Sequence, residues 1–138
     1  MDLLVIAGDR ESKITFGQPS FDSDGWMKSY VIEASMPGVF ASVLVDNNPA
    51  GHPPLKFFSE LASSWRGWKW EKSWGALEGE YGLVATCDSL GHITLSAHLE
   101  SDPAQIAPCW KAVVSISLEA GQLDRIQRDV EEFFKYVP

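Results

Sequence analysis

The sequence predicts an α+β domain built largely on antiparallel sheet, and two observations carry that reading. Apolar and polar residues alternate with period two through most of the chain, in short runs separated by Gly, Pro, Asp and Asn. Helical periodicity appears in only two places, after Pro54 and after Gly121, so strands and helices do not alternate as a parallel βαβ sheet requires. The predicted order is ββββ-α-βββ-α, a mostly antiparallel sheet of about seven strands with two helices, and the 138 residues suit a single domain, 1–138.

Leu3 to Ala7 is a continuous apolar run closed by Gly8-Asp9, as in a buried strand, and Lys13 to Phe16 alternates as its hairpin partner. Gln18 to Gly25 reads as turn chemistry, with Pro19 and the cluster Asp22-Ser23-Asp24-Gly25. From Lys28 to Met36 the residues Tyr30, Ile32, Ala34 and Met36 share a face; Pro37-Gly38 then turns the chain into a strand over Phe40 to Val45. Asp46 to Pro54 is a loop. The helix that follows begins near Leu55, carries a stripe of Leu55, Phe58, Leu61, Ala62 and Trp65, and ends at Gly67.

Tyr81 to Cys87 and His92 to Leu99 form a hairpin around Asp88-Ser89-Leu90-Gly91. Ile93, Leu95, Ala97 and Leu99 are directed to the core, while His92, Thr94, Ser96 and His98 are directed to solvent. After a loop with Pro103 and Pro108, a last strand puts Trp110, Ala112, Val114, Ile116 and Leu118 on its inner face. The final helix, Gln122 to about Tyr136, has the stripe Leu123, Ile126, Val130, Phe133, Phe134 and Val137. On its other side four i,i+4 charge pairs mark a solvated face: Asp124–Arg128, Arg125–Asp129, Arg128–Glu132 and Glu131–Lys135.

Composition narrows the function classes. Nineteen Asp and Glu against eleven Lys and Arg give a formal charge of −8, which repels phosphate and makes nucleic acid and anionic membrane poor partners. A basic protein is the partner that this field favours. Cys87 and Cys109 belong to no C-x-x-C pair, the N-terminal run lacks the basic segment of a signal peptide, and no stretch has the length of a membrane helix, so two free thiols and a cytoplasmic location are expected.

No metal site or cofactor is expected either. His92 and His98, six residues apart on one strand, stand about 20 Å from each other and cannot share an ion. Phosphate-loop, dinucleotide, zinc-protease and nucleophile-elbow motifs are all missing, and Asp88 beside Cys87 disfavours a reactive thiolate.

The unusual segment is Trp65 to Glu80, four tryptophans interleaved with Arg66, Lys69 and Lys72 and with Glu71, Glu78 and Glu80. Its rings either pack a helix end onto the sheet or anchor an interface. Candidate binding residues are Trp68, Trp70 and Glu78 here, His92 and Thr94 on the polar sheet face, and Glu131 and Glu132 on the final helix.

Trp65-Arg66-Gly67-Trp68, Glu71-Lys72-Ser73-Trp74, Leu77-Glu78-Gly79 and Leu90-Gly91-His92-Ile93-Thr94-Leu95 resemble the W-x-G-W…K-x-W…S-L-E-G…D-G-x-G-H-V-x-L pattern of an uncharacterised family of small bacterial proteins. The likeness runs from Phe58 to Phe133 and includes Leu118 to Leu123. Ala76 stands where that pattern has serine, and Ser89 where it has the turn glycine. The resemblance brings no known activity. Members of this size and sign are similar in architecture to the immunity proteins that neutralise bacterial toxins. A non-catalytic protein of that type is the leading expectation. The alternative is a small-ligand binder or minor enzyme on the polar sheet face around His92.

Overall fold

The computed structural model describes residues 1–47, 52–101 and 109–137. Part of the expected loop between Asp46 and Pro54, and the loop with Pro103 and Pro108, lie outside the described residues. The α+β class stands, and the described residues form two helices, as expected, and eight strands in two sheets where about seven in one were expected. Strands β1 (Leu3–Ala7), β2 (Lys13–Phe21), β3 (Met27–Met36) and β4 (Val39–Asp46) form one antiparallel meander. After helix α1 (Leu55–Ser63), strands β5 (Lys72–Gly75), β6 (Tyr81–Cys87), β7 (Ile93–Glu100) and β8 (Lys111–Leu118) form the second. A 3-10 turn, Ala120–Gln122, leads into α2 (Leu123–Phe133).

The added strand, β5, lies inside the Trp-rich segment. It has four residues and one of them is glycine, too short a run for period-two alternation to announce itself. A second correction concerns Gln18 to Phe21, which continues β2 instead of turning. Gln18 sits at φ +49°, and the pairing with β3 shifts between Gly17 and Ser20, so a bulge absorbs Pro19 in an internal strand. The turn begins at Asp22, whose Oδ1 accepts the N–H groups of Asp24 and Trp26 at 2.9 and 3.0 Å.

Three packing expectations also change. Helix α1 stops at Ser63, before Gly67, and buries Phe57, Phe58, Leu61 and Ala62, leaving Leu55 and Trp65 outside the core. Trp110 precedes β8 and is 42% exposed; Val114, Ile116 and Leu118 are the buried residues of that strand. Helix α2 ends at Phe133, short of Tyr136, and Gln122 serves in a reciprocal cap with Glu119. Of its expected charge pairs Arg125–Asp129 closes at 3.9 Å, while Lys135 turns to Glu132 at 4.0 Å.

One apolar cluster joins the inner faces of both sheets to both helices. Its hub is Phe16, whose ring lies 5.9–6.2 Å from those of Tyr30, Tyr81, Phe133 and Phe134. Just past β1 the chain passes close to β8 at Gly8, where an added Cβ would sit 2.7 Å from the Ile116 Cβ. The helices pack on each other, with α2 also against β1 and α1 against β5.

Candidate functional site

The sequence-predicted residues divide between two ends of the second sheet and the surface of α2. At one end, Asp88 organises the β6–β7 turn. Its Oδ1 accepts the N–H groups of Leu90 and His92 at 2.9 Å each, and its Oδ2 lies 3.1 Å from His92 Nδ1. The His92 backbone N–H, followed by those other bonds, holds the Asp88 carboxyl below its ordinary value. Thr94 lies two residues on, exposed, opposite Thr86 and Ser117. Trp68 leans on the same sheet, half-buried, its indole Nε1 donating to the Ala85 carbonyl at 3.3 Å and Lys72 Nζ standing 5.8 Å from its ring.

Glu78 is exposed in the β5–β6 turn, at the opposite end of the seven-residue β6. It is therefore separated from His92 by about 20 Å. Trp68, His92 and Thr94 share an end of the sheet, and Glu78 does not join them. Glu131 and Glu132 are exposed on α2, where Glu131 accepts a hydrogen bond from Gln127 Nε2 at 3.2 Å.

Trp70 stands apart from all of these. It is 88% exposed and its backbone is at φ +64°, a left-handed conformation that a bulky side chain rarely adopts. Beside it in sequence, Trp65 is exposed with the Arg66 guanidinium 5.0 Å from its ring centre.

Two further features escaped the sequence. The first is a groove of about 350 Å³ across the outer face of the second sheet, walled by His98, Val113, Glu100 and Lys111. Its floor is Gly75 and Gly82, paired across β5 and β6. A Cβ on Gly75 would meet nothing within 4 Å, and one on Gly82 only the Trp74 carbonyl at 3.3 Å.

The second is a buried polar seam between the sheets. The Tyr30 and Tyr81 hydroxyls are 2.6 Å apart, with their rings edge to face. Glu80, 8% exposed, accepts the Asp46 N–H at 2.8 Å through Oε2, so β4 of one sheet is tied to the β5–β6 turn of the other. Glu80 Oε1 and Trp74 Nε1 are buried with no hydrogen-bond partner among the described residues. The Trp74 ring lies 5.0 Å from Tyr81 and has His52 stacked on it at 5.8 Å. Burial pushes both phenols above their ordinary value, against a lowering hydrogen bond at Tyr30 and with the Tyr30 neighbour adding to the effect at Tyr81. The pair is thus a neutral hydrogen-bonded strut. Period-two alternation had placed Tyr30 inward; nothing in it distinguishes Glu80 from its exposed neighbour Glu78.

Among the described residues no group of three or more His, Cys, Asp or Glu side chains is placed to hold a metal ion, and no helix is long and apolar enough to cross a membrane. Cys87 and Cys109 are free thiols.

The architecture is that of a two-sheet α+β protein with its distinctive aromatic segment carried on β5 and the loop before it. The chain belongs to a family of unknown function (DUF6228), whose model matches residues 5–137. Comparison with curated proteins and with solved structures gave no match.

Proposed function

We propose that the chain is a non-catalytic protein-binding protein of immunity type, which neutralises a bacterial toxin by covering a basic surface on it. The observation that carries this reading is Trp70. A bulky side chain at φ +64° costs on the order of 1–3 kcal/mol, and such strain concentrates where a side chain must be presented for a purpose. At 88% exposure the indole makes little return contact within the chain. Tryptophan is also among the residues that most often dominate binding energy when a partner desolvates it.

The formal charge of −8 supports a basic partner, because it steers encounter from a distance, and Glu131 and Glu132 extend that field on a solvated helix face. The test begins by identifying the partner through co-purification from the source cell, followed by binding kinetics at several salt concentrations. Rising salt and the reversals Glu131→Lys and Glu132→Lys should each slow association and leave dissociation nearly unchanged. Trp70→Ala should do the opposite and speed dissociation. An association rate indifferent to salt, together with a silent Trp70→Ala, would sink the proposal.

A second reading has one observation in its favour, the groove over Gly75 and Gly82. Glycine inside a strand weakens it unless something approaches the backbone closely. A small planar ligand lying on that floor would make the protein a ligand binder on the polar sheet face. Amide shifts at Gly75, Gly82 and His98 on titration with planar ring compounds would support it; an unresponsive groove would remove it.

A further inference from the structure

A sheet edge presents unpaired backbone donors and acceptors, and three of the four edge strands here are guarded. Strand β1 lies against α2, and Gln122 Nε2 donates to the Ala7 carbonyl at its end. Strand β5 has four residues and begins with Lys72. Strand β8 begins with Lys111, and the chain at Gly8 passes beside the Ser117 backbone nitrogen. Strand β4 has none of these devices. Its eight residues hold no proline, pair with β3 without a bulge and carry a charge only at the terminal Asp46.

The pairing fixes which backbone groups β4 turns outward. The Asn47 N–H donates to the Lys28 carbonyl at 2.8 Å, one step beyond the opposed Ser29 and Asp46. Alternation then makes Tyr30–Val45, Ile32–Val43 and Ala34–Ala41 the bonded pairs, and directs the N–H and C=O of Phe40, Ser42, Leu44 and Asp46 away from β3. Asp46 fits this pattern, since its N–H crosses to Glu80 Oε2. The outward backbone groups of Phe40, Ser42 and Leu44 have no partner among the described residues. Donors and acceptors in that spacing are complementary to an extended strand.

The side chains along the edge define the chemistry of that strand. On the outer face Phe40 and Leu44, 67% and 66% exposed, flank Ser42, so alternate apolar residues would lie on them. Glu33, opposite Ser42 on β3, forms no ion pair among the described residues. Asp46 puts a second negative charge on the same face, and Asp2 borders it near Gly17. Lys13, the base of that face, stands on β2, a strand further from the edge than Glu33. The rim of the edge is therefore acidic, and a basic residue on the incoming strand complements it.

We infer that the partner adds an extended segment, alternately apolar and carrying at least one Lys or Arg, as a fifth strand on the β4 edge. This rests on the proposed role as a protein-binding protein and gives that role a second contact besides Trp70.

The probe is a capped peptide alternating valine and threonine between terminal lysines, titrated into the isotope-labelled full chain. The amides of Phe40, Ser42 and Leu44 should exchange freely at first, then shift and gain protection, with a dissociation constant on the order of 1 mM. The same peptide methylated on the amides that face β4 should not bind. A version with terminal glutamates should bind about tenfold more weakly, and Glu33→Lys should reverse the preference. Ser42→Pro removes the central outward N–H where an edge strand tolerates proline, so it should stay folded by circular dichroism and lose the peptide, while Ser42→Thr keeps it. Trp70→Ala should leave peptide binding unchanged, so the two contacts fail separately. Silent amides up to about 10 mM peptide overturn the inference. Equal binding of the methylated peptide, which is adhesion to the apolar face, overturns it as well. So does protection of those amides in the free chain that grows with protein concentration, because a second copy then holds the edge. A peptide that binds while the salt and Trp70 tests fail removes the immunity reading and keeps the strand site; the reverse result removes the strand site alone.

Discussion

The two sheets share a plan and differ in what they turn outward. Each is a four-stranded antiparallel meander, and each contributes an unbroken set of apolar residues to the common core. Outward, the first sheet presents Leu3, Val5, Phe40 and Leu44, while the second presents mainly Ser73, Thr86, Thr94, Ser96, Ser115 and Ser117, with Val113 exposed beside the glycine floor. Two of those serines, Ser96 and Ser115, satisfy each other at 2.7 Å. Packing sets the inner residues, so the two inner faces look alike. The outer faces are free of that constraint, and there the two sheets diverge.

The comparison breaks most completely at Phe16, the ring on which both sheets and α2 converge. Phe16→Ala should cost about 3–5 kcal/mol, read as a lower urea midpoint, and should loosen both sheets together. If only the first sheet loses protection in hydrogen exchange, the halves are more independent than the shared core implies.

The tyrosine strut gives the next effect. Both phenols have folded-state values raised above the ordinary value near 10, so their contribution is fully present below about pH 10 and is lost as pH climbs past it. Each tyrosine should remove about 1.4 kcal/mol per pH unit in that window. Melting temperatures between pH 8 and 11.5 measure this, and Tyr30→Phe should flatten the slope.

Trp110 tests the outer boundary of the core. The strand pattern alone put it inside, at a cost for Trp110→Ala of about 3–5 kcal/mol; at 42% exposure the loss should stay below about 1 kcal/mol. The smallest effect reverses sign. Gly75 has open space where a Cβ would go and no left-handed backbone to require glycine, so Gly75→Ala should stabilise by about 0.5–1 kcal/mol while shallowing the groove. A destabilised variant would mean that the floor already meets something in the folded chain.

What the sequence disclosed follows from how far each signal reaches along the chain. Alternation over Ile93 to Leu99 and the stripe from Leu123 to Phe133 are local, and both were legible. The division into two sheets was not, because strand order depends on pairings that periodicity does not encode. Strand β5 was hidden by its length, and the bulge at Gln18 by Pro19, which in most contexts ends a strand. Of the candidate residues, the local environment of His92 was foreseeable from the Asp88 turn. The exposure of Trp70 was not, since a tryptophan-rich segment reads the same whether its rings pack or project. Glu80 and the Tyr30–Tyr81 contact join residues 51 apart, and only the folded chain brings them together.

The position of Phe16 also sets an order of events during synthesis. The first sheet can pair strand by strand as it leaves the ribosome, but its inner face waits for Phe133 and Phe134, the better part of the chain later. Gln122 Nε2 reaches back in the same way to the Ala7 carbonyl across 115 residues. At about 5–20 residues per second the uncovered meander persists for several seconds with Leu4, Ile6, Ile14 and Phe16 open to solvent on one face and Phe40 and Leu44 on the other. A nascent chain halted before α2 should therefore be protease-sensitive and recruit chaperones, and release of the last helix should end both.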